Sequence, residues 1–109
     1  MFYEPDMREY GYESYETYLR SDHWKLVIRA YQRQRCYCCE WTGRDLILCH
    51  ISLANLTRER ADDVITLCAK CEDGIRWMID RGHPLPEAIS LRRKNAPRRP
   101  AKTKKRRGR

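Results

Sequence analysis

Two cysteine pairs, Cys36-x-x-Cys39 and Cys68-x-x-Cys71, flank an apolar run that closes on Cys49-His50. The two-residue gap lets both thiolates of a pair turn toward one ion, and four thiolates complete a closed tetrahedral zinc shell. A structural zinc on Cys36, Cys39, Cys68 and Cys71 is therefore the first expectation. The 28 residues between the pairs exceed the spacing of a minimal zinc ribbon, so the metal clasps the ends of a longer excursion that carries something else. On that excursion His50 is the side chain with acid–base chemistry near neutral pH.

The elements that position these residues must be small. The chain has 109 residues, of which 35% are charged, and a mean hydropathy of -0.87. So little apolar material rarely offsets backbone entropy without a metal or disulfides. The acidic start Met1-Phe2-Tyr3-Glu4-Pro5-Asp6 lacks the apolar stretch of a secretory signal, and no run is long enough for a membrane span. A reducing, cytoplasmic compartment follows as the expectation, and there CxxC pairs are metal ligands more often than disulfides.

Charge divides the chain. The formal net charge is +8, yet residues 92–109 hold eleven Lys or Arg and no acid, which leaves twelve basic against fifteen acidic groups before them. The expected organisation is an acidic, tyrosine-rich lead-in over 1–14, a zinc domain over 15–91, and a disordered basic tail over 92–109. Such a tail attracts phosphates without reading bases. Within it Arg98, Arg99, Lys104, Lys105, Arg106 and Arg107 are candidate nucleic-acid contacts, joined by Arg58 and Arg60 on the loop after the first strand.

The pattern predicts helix over 15–34 with a break near Ser21, and an apolar stripe of Trp24, Val27, Ile28 and Tyr31. A strand over 46–49 is ended by His50; a loop over 52–62 and an apolar stretch over 64–67 lead to the second knuckle. Helix over 69–81 turns Ile75, Met78 and Ile79 inward and stops at Gly82, and a last short helix covers 87–93. His23 and His83 read as surface and loop histidines, Cys38 as a free thiol, and Trp41 and Trp77 as packing around the metal; Cys38 and His83 remain alternative ligands.

Tyr18-Leu19-Arg20-Ser21-Asp22-His23-Trp24, Cys36-x-x-Cys39, Cys49-His50-Ile51, Glu59 and Asp62-Asp63-Val64-Ile65-Thr66-Leu67-Cys68-x-x-Cys71 together resemble a small prokaryotic or phage HNH endonuclease over roughly residues 18–76. The resemblance implies an α+β architecture, a ββα-metal fold pinned by the four-cysteine zinc, preceded by N-terminal helices and followed by the basic tail. It implies cleavage of double-stranded DNA with His50 as general base and one further divalent ion. Where the family usually places His or Asp before the base stands Cys49; after the second knuckle, in place of His or Asn, stands Glu72; four residues on, where many members have a further His, stands Arg76. Asp63 takes the place of the motif's central Asn.

Phosphodiester hydrolysis requires a base for water and an electrophile for the leaving oxygen, and His50 serves only the first need. Two outcomes are open. Cys49 and Glu72 hold a second ion, manganese or zinc in preference to magnesium because sulfur is soft, and Arg76 binds the scissile phosphate. Alternatively Glu72 pairs with Arg76, Cys49 is a buried apolar residue, and the scaffold is a catalytically inactive nucleic-acid-binding or adaptor module with the structural zinc alone. In the second case a protein partner joins nucleic acid among the expected ligands. Both settings are a prokaryotic or phage-infected cell.

Overall fold

A computed structural model describes residues 2–98. The described chain is small and α+β: α1 (Tyr15–Tyr18), α2 (Asp22–Tyr31), β1 (Leu46–His50), β2 (Val64–Cys68), α3 (Ala69–Asp80) and α4 (Leu85–Asn95), with β1 and β2 paired in a two-stranded antiparallel sheet. The chain divides into two compact units. Among the described residues one comprises 2–32 and 48–65, the other 33–47 and 66–98.

In the first unit, serines start both helices. Ser14 accepts from Thr17 N at 3.1 Å and Ser21 from Trp24 N at 3.1 Å, each satisfying an amide that the first turn leaves unpaired. The break expected near Ser21 is thus the cap of α2. That helix ends at Tyr31, earlier than the expected 34. Trp24 and Val27 from the predicted stripe are buried, and Ile28 and Tyr31 pack against them. Met7, Tyr15, Tyr18, Leu48 and Val64 complete the cluster. The lead-in therefore reaches the core through Met7, which is 1% exposed.

In the second unit the first knuckle closes on itself: Cys36 N donates to Trp41 O and Glu40 N to Cys36 O. Glu40 occupies the left-handed region at φ 66. The indole of Trp41, bonded to Asp45, fills the space a Cβ on Gly43 would need, so this turn requires glycine. On α3, Ile75 is buried as expected, Met78 and Ile79 are half-buried, and Gly82 follows at φ +98. Trp77 departs from expectation: it is 55% exposed beneath the Arg81 guanidinium, 3.6 Å from its ring centroid.

Helix α4 packs on α3 and runs to Asn95, so residues 92–95 of the segment expected to be disordered are helical. Arg98 explains part of this, because its Nη1 donates to Arg93 O at 2.9 Å and Cys38 O at 2.7 Å and so ties the helix end to the knuckle. Gly74 in the interior of α3 costs about 0.5–1 kcal/mol relative to alanine. It provides room: a Cβ there would lie 3.0 Å from Arg92 Nη1.

Candidate metal centre and the His50 network

Cys36 and Cys39 come from the knuckle turn, Cys68 from the end of β2 and Cys71 from the first turn of α3. Their sulfurs all lie within 4.8 Å of one another, and all four side chains are buried. Cys39 Sγ and Cys68 Sγ are 3.6 Å apart. Zinc–sulfur bonds of about 2.3 Å in a tetrahedron set sulfur–sulfur edges near about 3.8 Å, so this donor set fits a metal ion of that kind. None of the six cysteines is in a disulfide.

The surroundings of the Cys36 sulfur act on it in both directions. A hydrogen bond with Cys71 and then burial push the Cys36 thiol up to about 12, while backbone N–H groups of Cys39, Cys68 and Cys38 pull the other way by favouring the thiolate. Those amides would favour the thiolate that a divalent cation bound there requires. Cys38 is not in the group; its thiol lies 3.9 Å from Ile89 O, and His83 instead bonds Glu87 at 2.7 Å.

His50 sits in the first unit, 1% exposed at the end of β1. Its Nδ1 is 2.6 Å from Tyr15 Oη and its Nε2 is 2.8 Å from Glu59 Oε2. A neutral imidazole with its proton on Nε2 satisfies both, accepting from the phenol and donating to the carboxylate. The Trp24 ring stacks on it at 4.7 Å. Glu59 is the hub of this network, because its Oε2 also accepts from Tyr18 Oη at 2.5 Å and its Oε1 faces His23 Nε2 at 2.9 Å. Tyr18 in turn accepts from Thr57 N, pinning the loop at a residue with φ 71.

His23, expected at the surface, is thus a partner of Glu59. Arg58 and Arg60 are exposed on either side of that buried carboxylate. Asp63 braces the same loop by accepting from Asn55 Nδ2 at 3.0 Å and Arg60 N at 2.8 Å, the role a carboxylate can fill without donating.

The other candidate residues lie as follows. Cys49 is fully buried, and neither it nor Glu72 belongs to the sulfur cluster. Arg76 Nη2 is 2.5 Å from Glu72 Oε2, with Asp73 at 3.7 Å, the arrangement of a helical ion pair one turn apart. Because Arg76 is 45% exposed, Arg76→Ala is expected to change unfolding free energy by less than about 1 kcal/mol in chemical denaturation. A loss of several kcal/mol would mean that the pair holds more than its own helix. Of the tail candidates, Arg98 is engaged with Cys38, while Arg99, Lys104, Lys105, Arg106 and Arg107 lie outside the described residues.

Glu59 stood in the motif series that carries the resemblance, but without a role, and Tyr15 had no periodic or motif signal tying it to His50; the usable hint was one acid enclosed by Arg58 and Arg60. Among the described residues no helix is long and apolar enough to cross a membrane. Comparison with protein-family models, with curated proteins and with solved structures finds no match to this chain.

Proposed function

We propose that the chain is a zinc-clamped nucleic-acid-binding module whose motif order resembles HNH endonucleases but whose His50 serves the fold rather than hydrolysis. The observation that supports this reading is the occupancy of both His50 ring nitrogens, by Tyr15 and Glu59, in a side chain 1% exposed. A general base needs a free lone pair within reach of water. The ion pair of Glu72 with Arg76 likewise uses the groups that a second ion and a scissile phosphate would require.

Nucleic-acid binding rests on charge. Residues 99–109 carry seven Lys or Arg and no acid, and Arg58 and Arg60 add exposed cations on the loop over 52–62. These groups suit phosphate contacts, so duplex DNA is the proposed ligand and its affinity should fall steeply with salt. The sulfur cluster takes zinc, the ion whose tetrahedral four-thiolate preference it matches. A protein partner on the remaining surface is the adaptor variant of the same reading.

Plasmid incubation with Mn²⁺, Mg²⁺ or Zn²⁺ tests it. The expected result is binding without nicking in every metal, with binding sharply reduced once residues 99–109 are removed. Metal-dependent nicking that disappears in His50→Ala and survives removal of the tail at low salt would instead establish the endonuclease.

A further inference from the structure

Arg92 is the side chain that the sulfur cluster leaves unexplained. It extends from α4 across Gly74 of α3, one turn beyond Cys71, with Nη1, Cζ and Cδ 3.0, 3.2 and 3.3 Å from where a Cβ on Gly74 would stand. Its Nε is buried and has no hydrogen-bond partner. Cys71 lies one turn before Gly74 on α3, and Ile89, one turn before Arg92 on α4, has its carbonyl 3.9 Å from the thiol of Cys38, which stands between two of the clustered cysteines. The neighbouring cations are occupied elsewhere. Arg93 lies over the Tyr37 ring at 4.3 Å, and Arg98 donates to backbone carbonyls.

A guanidinium half-sunk between two helices, with one buried N–H unpaired, is a poor arrangement by itself. It becomes a good one beside an anion. Four thiolates around a divalent cation leave two negative charges in a buried site, which is costly unless a counter-charge and donors accompany them. We propose that Arg92 is the built-in counter-cation of the four-cysteine metal centre, and that Gly74 is glycine to admit it. Arg92 acts through Cys71, so it is a positioning and charge-balancing residue rather than a ligand. It strengthens metal retention and withdraws electron density from the bound sulfur. This inference rests on the cysteine cluster holding a metal.

The full chain is tested by competition for zinc against a chromogenic chelator and by cobalt substitution, whose sulfur-to-cobalt absorption reports the electron density on the thiolates. Arg92→Met is expected to weaken zinc binding by roughly 10- to 100-fold, as removal of outer partners of metal ligands typically does. Its cobalt spectrum should keep a tetrahedral pattern with the charge-transfer band moved to lower energy. Arg92→Lys should recover part of the affinity, and Arg93→Met, an equal loss of charge on the exposed face, should leave affinity and band unchanged. Gly74→Ala, which displaces the guanidinium without removing it, should reproduce the band shift and serves if Arg92→Met does not fold.

Equal affinity and an unmoved band in Arg92→Met, or equal weakening by Arg93→Met, would overturn the inference while leaving the metal centre standing. Failure of the unsubstituted chain to take up zinc or cobalt would instead remove the metal centre itself.

Discussion

Treatment of the protein with a strong chelator under reducing conditions is expected to abolish the helical far-ultraviolet signal of α3 and α4, and Cys68→Ser is expected to give a chain that never acquires it. The four sulfurs join the knuckle turn, the end of β2 and the first turn of α3, so they carry contacts between segments far apart in sequence. Their apolar support is thin: among the described residues of that unit, besides the cysteines, Leu67, Ile75, Ala88, Ile89 and Ala96 are the buried apolar ones. Binding of a structural zinc contributes about 10–16 kcal/mol near neutral pH, as much as the whole stability of a typical domain at about 5–15 kcal/mol. Loss of the ion should therefore unfold the unit, not loosen it. Elemental analysis should return one zinc per chain. A chelator-treated sample with an unchanged melting temperature would show that the sulfurs merely pack together.

Glu59→Ala should be the most damaging single change in the first unit, with a loss of about 3–5 kcal/mol. The carboxylate meets Tyr18, His50 and His23, so its removal strands buried polar groups rather than deleting one bond. Acid should produce a related effect. Burial raises the Glu59 carboxyl, but donation from His50, Tyr18 and His23 outweighs burial and lowers it from 4.5 to about 2. Because the folded value lies below the unfolded one, the stabilisation is complete above about pH 4.5 and is lost as pH falls toward 2. Denaturant titrations of metal-saturated protein should show the difference between unsubstituted chain and Glu59→Ala shrinking across that window. Comparing the two cancels acid effects on the metal that both share. A difference that stays constant from pH 6 to pH 3 would mean that the carboxylate is not the titrating support.

The cysteine cluster could be read from spacing alone, because ligand geometry imposes a local pattern and the two CxxC pairs are short. Helix α2 was readable for the same reason: its cap at Ser21 and its stripe from Trp24 to Tyr31 are periodic in sequence. The His50 network was not, since Tyr15 lies 35 residues from His50 and Tyr18 lies 41 from Glu59. Those contacts depend on how β1 meets α1 within one folded unit, and no local preference encodes that. A histidine after an apolar strand reads equally as an exposed base or as a core group, and only its partners distinguish the two. The end of α4 was misjudged because Arg92 and Arg93 look like the start of a charge run, whereas the fold uses Arg92 against Gly74 and Arg93 over Tyr37.

The three tryptophans fall unevenly between the two units. Trp24 is sealed at 2% exposure against the His50 ring, whereas Trp41 and Trp77 belong to the unit with the four clustered cysteines, the latter 55% exposed. Emission from the first is shielded from a dissolved quencher such as iodide, while Trp77 is open to it. Each half of the molecule consequently carries its own optical probe, and loss of order in one can be followed by fluorescence without labelling the other.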